Sequence, residues 1–177
     1  MRKQGTDINR GLGGAAQAFN PTMMRFALST RLLAAPERVW QELRKPVTLQ
    51  KVAYPLLTFR MSDGQPLPDT FQAGGTYRLA MFSFGFLPLG RHSIHLVKLD
   101  PAARELYTHE HGDLIQNWNH RISVRETNHG QTHYTDALEI ASGWKTVFLW
   151  LYAHAFFRYR QYRRRQLAKT LSQPHDD

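Results

Sequence analysis

Two titratable residues fall where a strand pattern turns them inward. In Asn117-Trp-Asn-His-Arg-Ile-Ser-Val124 the alternation groups Trp118, His120, Ile122 and Val124 on one face, and further on Tyr134, Asp136, Leu138 and Ile140 line up the same way. The apolar members of each set mark the inner face. A charge facing an apolar interior is costly unless it is paired or serves a ligand. His120 with Asp136 beside it has the chemistry of a general base and its orienting carboxylate. Equally, the pair could hydrogen-bond a carbonyl or hydroxyl on an apolar ligand. The same residues also fit a structural role, with His120 held by a backbone carbonyl and Asp136 paired to Arg121 or Arg60. Spacing alone does not choose among these, so no catalytic residue is assigned and the question of enzyme activity stays open.

Other chemistry is thinly represented. His109 and His111 are two apart on a strand and point the same way, with His92, His95 and His133 in the same region. That arrangement lacks the helix-borne pair of a zinc site, and no metal is expected. There is no nucleotide-binding glycine loop and no nucleophile elbow, so no cofactor is expected either.

The elements that must position these residues are led by the stretch Gly143 to Thr170. It runs without Pro or Gly from Trp144, begins at Ser142 or Gly143 as an N-cap, and stops before Pro174, which predicts one long helix. Its first half is apolar almost all round. Phe148, Tyr152, Ala155, Tyr159 and Tyr162 form one stripe, and Val147, Trp150, His154 and Phe157 a second. Its second half carries Arg158, Arg160, Arg163, Arg164 and Arg165, which fan around the axis and suit a solvated end or a contact with an anionic membrane surface. The apolar run is too short for a bilayer, which needs roughly 20 residues.

Upstream, Met24 to Leu33 alternates as a first strand, Ala35 to Leu43 reads as a short helix with Pro36 at its first position, and Val47 to Ala53 as another. From Leu56 to Ser142 six stretches are punctuated by Ser62-Asp-Gly64, Pro88-Leu-Gly90, Asp100-Pro101, Gly112-Asp113 and Asn128-His-Gly130. With no room for crossover helices, they predict an antiparallel meander. Its apolar face needs the long helix as cover. The stretch Phe82 to Gly90 is apolar on both alternating faces, and is read as a rim at a cavity mouth, as a segment that dips into a membrane, or as a buried hairpin.

This order, with Ala35-Pro-Glu-Arg-Val-Trp40 and Phe71-Gln-Ala-Gly-Gly-Thr-Tyr77 as its markers, resembles the START-like, or SRPBCC, superfamily. The resemblance covers Phe26 to Leu171. It implies an α+β helix-grip fold: a curved antiparallel sheet wrapped around a long C-terminal helix, with two short helices after the first strand. It also implies an internal cavity for a lipid, steroid, polyketide or quinone-like molecule. Trp118, His120, Tyr134 and Asp136 from the sheet, with Trp150, His154 and Phe157 from the helix, are the expected ligand-binding residues. A polyketide cyclase or dehydratase using His120 and Asp136 is the alternative, and a module touching membrane or RNA through its basic helix is a third.

Length and composition agree with a single domain. The 177 residues hold no cysteine, which excludes disulfides and thiolate metal sites, and the formal charge is +9. Residues 1–23, Gly-rich and without an apolar block of signal-peptide length, are expected to be a disordered leader, 24–171 the domain, and 172–177 a disordered tail. A hydrophobic small molecule is the expected partner and the cytoplasm the expected location; nucleic acid is not expected to bind.

Overall fold

The structure, a computed structural model, describes residues 23–172. Apart from Met23 and Ser172, the expected leader and tail lie outside the described residues. The elements follow in the order β1 (Met24–Leu32), α1 (Pro36–Leu43), α2 (Pro46–Ala53), β2 (Leu57–Met61), β3 (Thr76–Ser83), β4 (Leu87–Asp100), β5 (Glu105–Gly112), β6 (Asn117–Glu126), β7 (Thr132–Ala141) and α3 (Thr146–Leu171). All seven strands form one antiparallel sheet in the order β1-β7-β6-β5-β4-β3-β2. Only β1 pairs out of sequence, closing onto β7. The architecture is therefore the helix-grip arrangement, with two short helices after the first strand.

Alternation decides which face each strand buries. Along β6 and β7 every second residue is sealed, including Trp118, His120, Ile122 and Val124 on one strand and Tyr134, Asp136, Leu138 and Ile140 on the next. Burial of each large apolar member contributes about 1.5–3 kcal/mol. Helix α1 begins with Pro36 at its first position and turns Val39, Trp40 and Leu43 inward against the ends of β6 and β7. The 26-residue α3, roughly 40 Å long, packs along β1, β7 and α2.

Three details differ from the sequence reading. The long helix is preceded by a 3-10 turn, Gly143–Lys145, and its α-helical part starts at Thr146. There the Thr146 hydroxyl accepts from the Ser142 N–H at 2.8 Å and donates to the Gly143 carbonyl at 2.7 Å, a tighter local solution than a Ser142 cap. The β3–β4 turn also sits earlier than Pro88-Leu-Gly90. Phe84 and Gly85 both have positive φ, 51° and 82°, and the Phe86 N–H closes the turn on the Ser83 carbonyl. Pro88 then lies within β4, opposite Phe82 at a register shift, a place where a strand tolerates a missing N–H.

The third difference concerns α3. Its buried face is Ala153, Phe156, Phe157, Arg160, Gln161, Arg164 and Ala168, a continuous helical stripe that includes two arginines. The two stripes expected from hydropathy flank this face: Phe148, Tyr152 and Tyr162 are exposed, and only Phe157 of the second stripe is sealed. Arg160 and Arg164 therefore do not belong to a solvated basic end; they are 6% and 4% exposed. Of the expected membrane-contacting set, Arg158 and Arg165 are exposed, and Arg163 is half-buried and donates to the carbonyls of Tyr54 and Lys51. Among the described residues no helix is long and apolar enough to cross a membrane.

Candidate functional site

Between α3, α1, α2 and the inner face of β2 to β6 lies a cavity of about 390 Å³. Its walls are mainly apolar, built by Leu79, Ile94, Leu96, Leu106 and Ile122 from the sheet and Phe156 and Phe157 from the helix. At one end Leu89, Leu114, Leu149 and Tyr152 form a partly exposed mouth. The neighbouring β3–β4 tip carries Phe84, Phe86 and Leu87 in the open, with Phe86 77% exposed. The stretch Phe82 to Gly90 is thus a rim near the mouth rather than a buried hairpin.

A polar band crosses this apolar wall, and alternation on four adjacent strands creates it. His120 on β6 and Asp136 on β7 are diagonal neighbours, since His120 stands opposite Leu138 and Ile122 opposite Asp136. Their side chains meet at 2.9 Å through Nε2 and Oδ1, with His120 6% and Asp136 1% exposed. A carboxylate only accepts, so Nε2 carries the proton of this bond. The Tyr134 hydroxyl also donates to Asp136 Oδ1 at 2.7 Å, and Gln161 Nε2 donates to Oδ2 at 3.1 Å. Burial raises the Asp136 pKa, but the His120 bond, the His120 charge and the fields of Arg160 and Arg164 together outweigh it and hold the carboxyl at about 2. The Tyr134 phenol moves the other way, pushed up chiefly by burial.

A second histidine–carboxylate pair adjoins the first. On β4 and β5, His92 Nε2 lies 2.8 Å from Glu110 Oε2, and the Thr108 hydroxyl donates to Glu110 Oε1 at 2.6 Å. Burial raises the Glu110 pKa too, and is outweighed by the bond and charge of His92, the charge of His120 and the bond from Thr108, leaving it below the ordinary value. At the α1 end Glu42, which also lines the cavity, accepts from Lys45 and Thr48 at 2.6 Å each. His109 and His111 point out of the sheet and are exposed, opposite to the inward His92; no cluster of three potential metal ligands occurs among the described residues.

Of the seven residues expected to bind ligand, Trp118, His120 and Phe157 line the cavity. Tyr134 and Asp136 stand behind them as the support of His120. Trp150 and His154, contrary to expectation, do not face the cavity: they sit on the β1 side of α3, where Phe26 stacks on the His154 ring at 4.0 Å and Trp150 donates to the Arg25 carbonyl. Phe157 stands on the boundary, against Phe26 as well as the cavity; Trp150 and His154 fall to its β1 side, and Leu149, Phe156 and Arg160 to its cavity side.

The residues missed from sequence are Thr108, Glu110, His92, Arg160, Gln161 and Arg164. Glu110 was legible, since Leu106, Thr108 and Glu110 alternate as an inner face once His109 and His111 are placed outside. Arg160 and Arg164 continue the helical spacing of Ala153, Phe156 and Phe157, but their charge hides that continuity from any hydropathy pattern. Each guanidinium carbon lies over a ring, Arg160 over Phe157 at 4.5 Å and Arg164 over Tyr134 at 4.7 Å.

A curved antiparallel sheet gripping a C-terminal helix around a cavity is the START-like, helix-grip fold. Solved structures with this fold include protein CV1439 from Chromobacterium violaceum (16% identity, 81% of this chain and 96% of that chain, TM-score 0.64) and protein Ms6760 from Mycobacterium smegmatis (14%, 81% and 89%, 0.63). The Zhui aromatase/cyclase from Streptomyces sp. R1128 also shares it (10%, 87% and 98%, 0.66). The chain belongs to the family described as a domain of unknown function, DUF8410, whose model matches residues 30–171. Among curated proteins none matches the chain.

Proposed function

We propose that this protein binds, and carries, a hydrophobic small molecule in the cavity between sheet and α3. The observation that carries the reading is the 390 Å³ space with mainly apolar walls and a few convergent polar groups, the usual make-up of a small-molecule site. An apolar body would be held by Leu, Ile and Phe side chains, and the polar band would orient its oxygen atoms. Protein purified intact, then denatured and extracted into organic solvent, should release a lipophile in near-stoichiometric amount by mass spectrometry. An empty extract from protein that also fails to take up the neutral dye Nile red would remove the reading.

A second reading, acid–base catalysis on such a ligand, is favoured by one observation. His120 lines the cavity with its Nε2 proton held by a buried carboxylate, the geometry of an oriented general base. The similarity in fold to an aromatase/cyclase makes a poly-β-carbonyl compound the substrate to try. Loss of water from it, seen by mass, should be slowed by about 100-fold or more in His120→Ala. A variant that converts it at the parental rate excludes His120 as the base.

A further inference from the structure

Arg160 and Arg164 are the least expected occupants of this interior. Both are more than nine-tenths buried, both line the cavity, and the carboxylates nearby are already engaged. Asp136 accepts from His120, Tyr134 and Gln161, and Glu110 from His92 and Thr108. Among the described residues neither guanidinium comes within ion-pair distance of an acid, and Arg160 Nε is sealed with no hydrogen-bond partner. A guanidinium offers five N–H donors, and the Phe157 and Tyr134 rings, whose centroids lie 4.5 and 4.7 Å from the two guanidinium carbons, take none of them in a conventional hydrogen bond. Two adjacent sets of unspent donors on one helix face, one turn apart, make a seat for oxygen atoms bearing negative charge.

We infer that the cavity takes a monoanionic amphiphile, an apolar chain or ring system ending in a carboxylate, with the carboxylate seated on Arg160 and Arg164. The inference rests on the reading of the cavity as a ligand site and names the ligand's class. Its orientation follows from the helix. Tyr152, at the mouth, precedes Arg160 by eight residues, about 12 Å along the axis. The head therefore points inward and the apolar body fills the space toward Leu149 and Leu114.

Charge counting selects a monoanion. In number, Arg160 and Arg164 balance Asp136 and Glu110, and Glu42 is offset by Lys45. A monoanionic head adds a single charge to that balanced set. A dianionic head would leave a further charge uncompensated in a low-dielectric space.

The test is displacement of Nile red from the intact protein at pH 7.5 by three probes of equal chain length: dodecanoate, dodecanol and dodecyl phosphate, each below its critical micelle concentration. Charge-assisted hydrogen bonds should let dodecanoate compete at concentrations about tenfold or more below dodecanol. The Arg160→Met and Arg164→Met proteins should lose most of that difference, with folding checked by circular dichroism. The parental comparison decides the matter even if a variant does not fold. Equal potency of dodecanoate and dodecanol overturns the inference while leaving the cavity reading intact, and stronger competition by dodecyl phosphate overturns the assignment of a carboxylate. Absence of dye uptake and of probe binding by direct titration removes both readings together.

Discussion

Asp136 is the residue on which the site's order depends. It has no contact with solvent worth the name, yet it stays ionised because three donors converge on it and two arginines stand nearby. A carboxyl held at about 2, against 3.8 in a free chain, contributes about 2 kcal/mol of stability at neutral pH. The sign follows from the depressed value. The contribution is complete above pH about 4 and is lost as pH falls toward 2. Urea unfolding followed at stepped pH should therefore show a slope in that range that becomes shallower in Asp136→Asn, with the residual slope belonging to groups such as Glu110 and Glu42, which are lowered too. At pH 7 the same variant should be less stable by about 3 kcal/mol, since His120, Tyr134 and Gln161 lose a charged acceptor. A variant with the parental slope would show that Asp136 is not ionised in the folded protein.

Among the elements, the ends of β4 and β5 hold the mouth in place. Gly112 closes β5 against His92 of β4, its N–H donating to the Ile115 carbonyl at 2.7 Å, and Leu114 follows directly at the rim. A Cβ on Gly112 would collide with the Arg91 carbonyl oxygen and press on the His92 ring, so the backbones of the two strands would have to separate. Gly112→Ala should therefore cost about 2 kcal/mol, or roughly 4–8 °C in Tm, and should weaken Nile red uptake more than its stability loss alone explains. Unchanged melting would mean that this strand end yields freely. Helix α3 shows a different economy: one face sets Trp150 and His154 against Phe26 of β1, while the adjoining face turns Phe156, Phe157, Arg160 and Arg164 toward the cavity. A helix apolar nearly all round is what this double duty requires.

For the whole molecule, the formal charge of +9 is not simply a surface property, because two of its cations lie inside. What excludes water from the ligand space is the joint cover of α1, α2 and α3 over one half of the sheet, with an opening left between Tyr152 and Leu114. Much of this was determined by local pattern. Alternation in β6 and β7 placed His120 and Asp136 on one face, Pro36 and the apolar spacing after it marked α1, and punctuation by Gly, Pro and Asp separated the strands, since side-chain period and turn chemistry are local properties of the chain. Only the tertiary structure decided that α3 presents Ala153, Phe156 and Arg160 rather than Phe148, Tyr152 and Tyr159, because the choice of buried face is made by the partner surface. It also decided that Arg160 and Arg164 are interior. A guanidinium can be buried when rings lie against it and a cavity receives its donors, and the cavity is closed by strands distant in sequence.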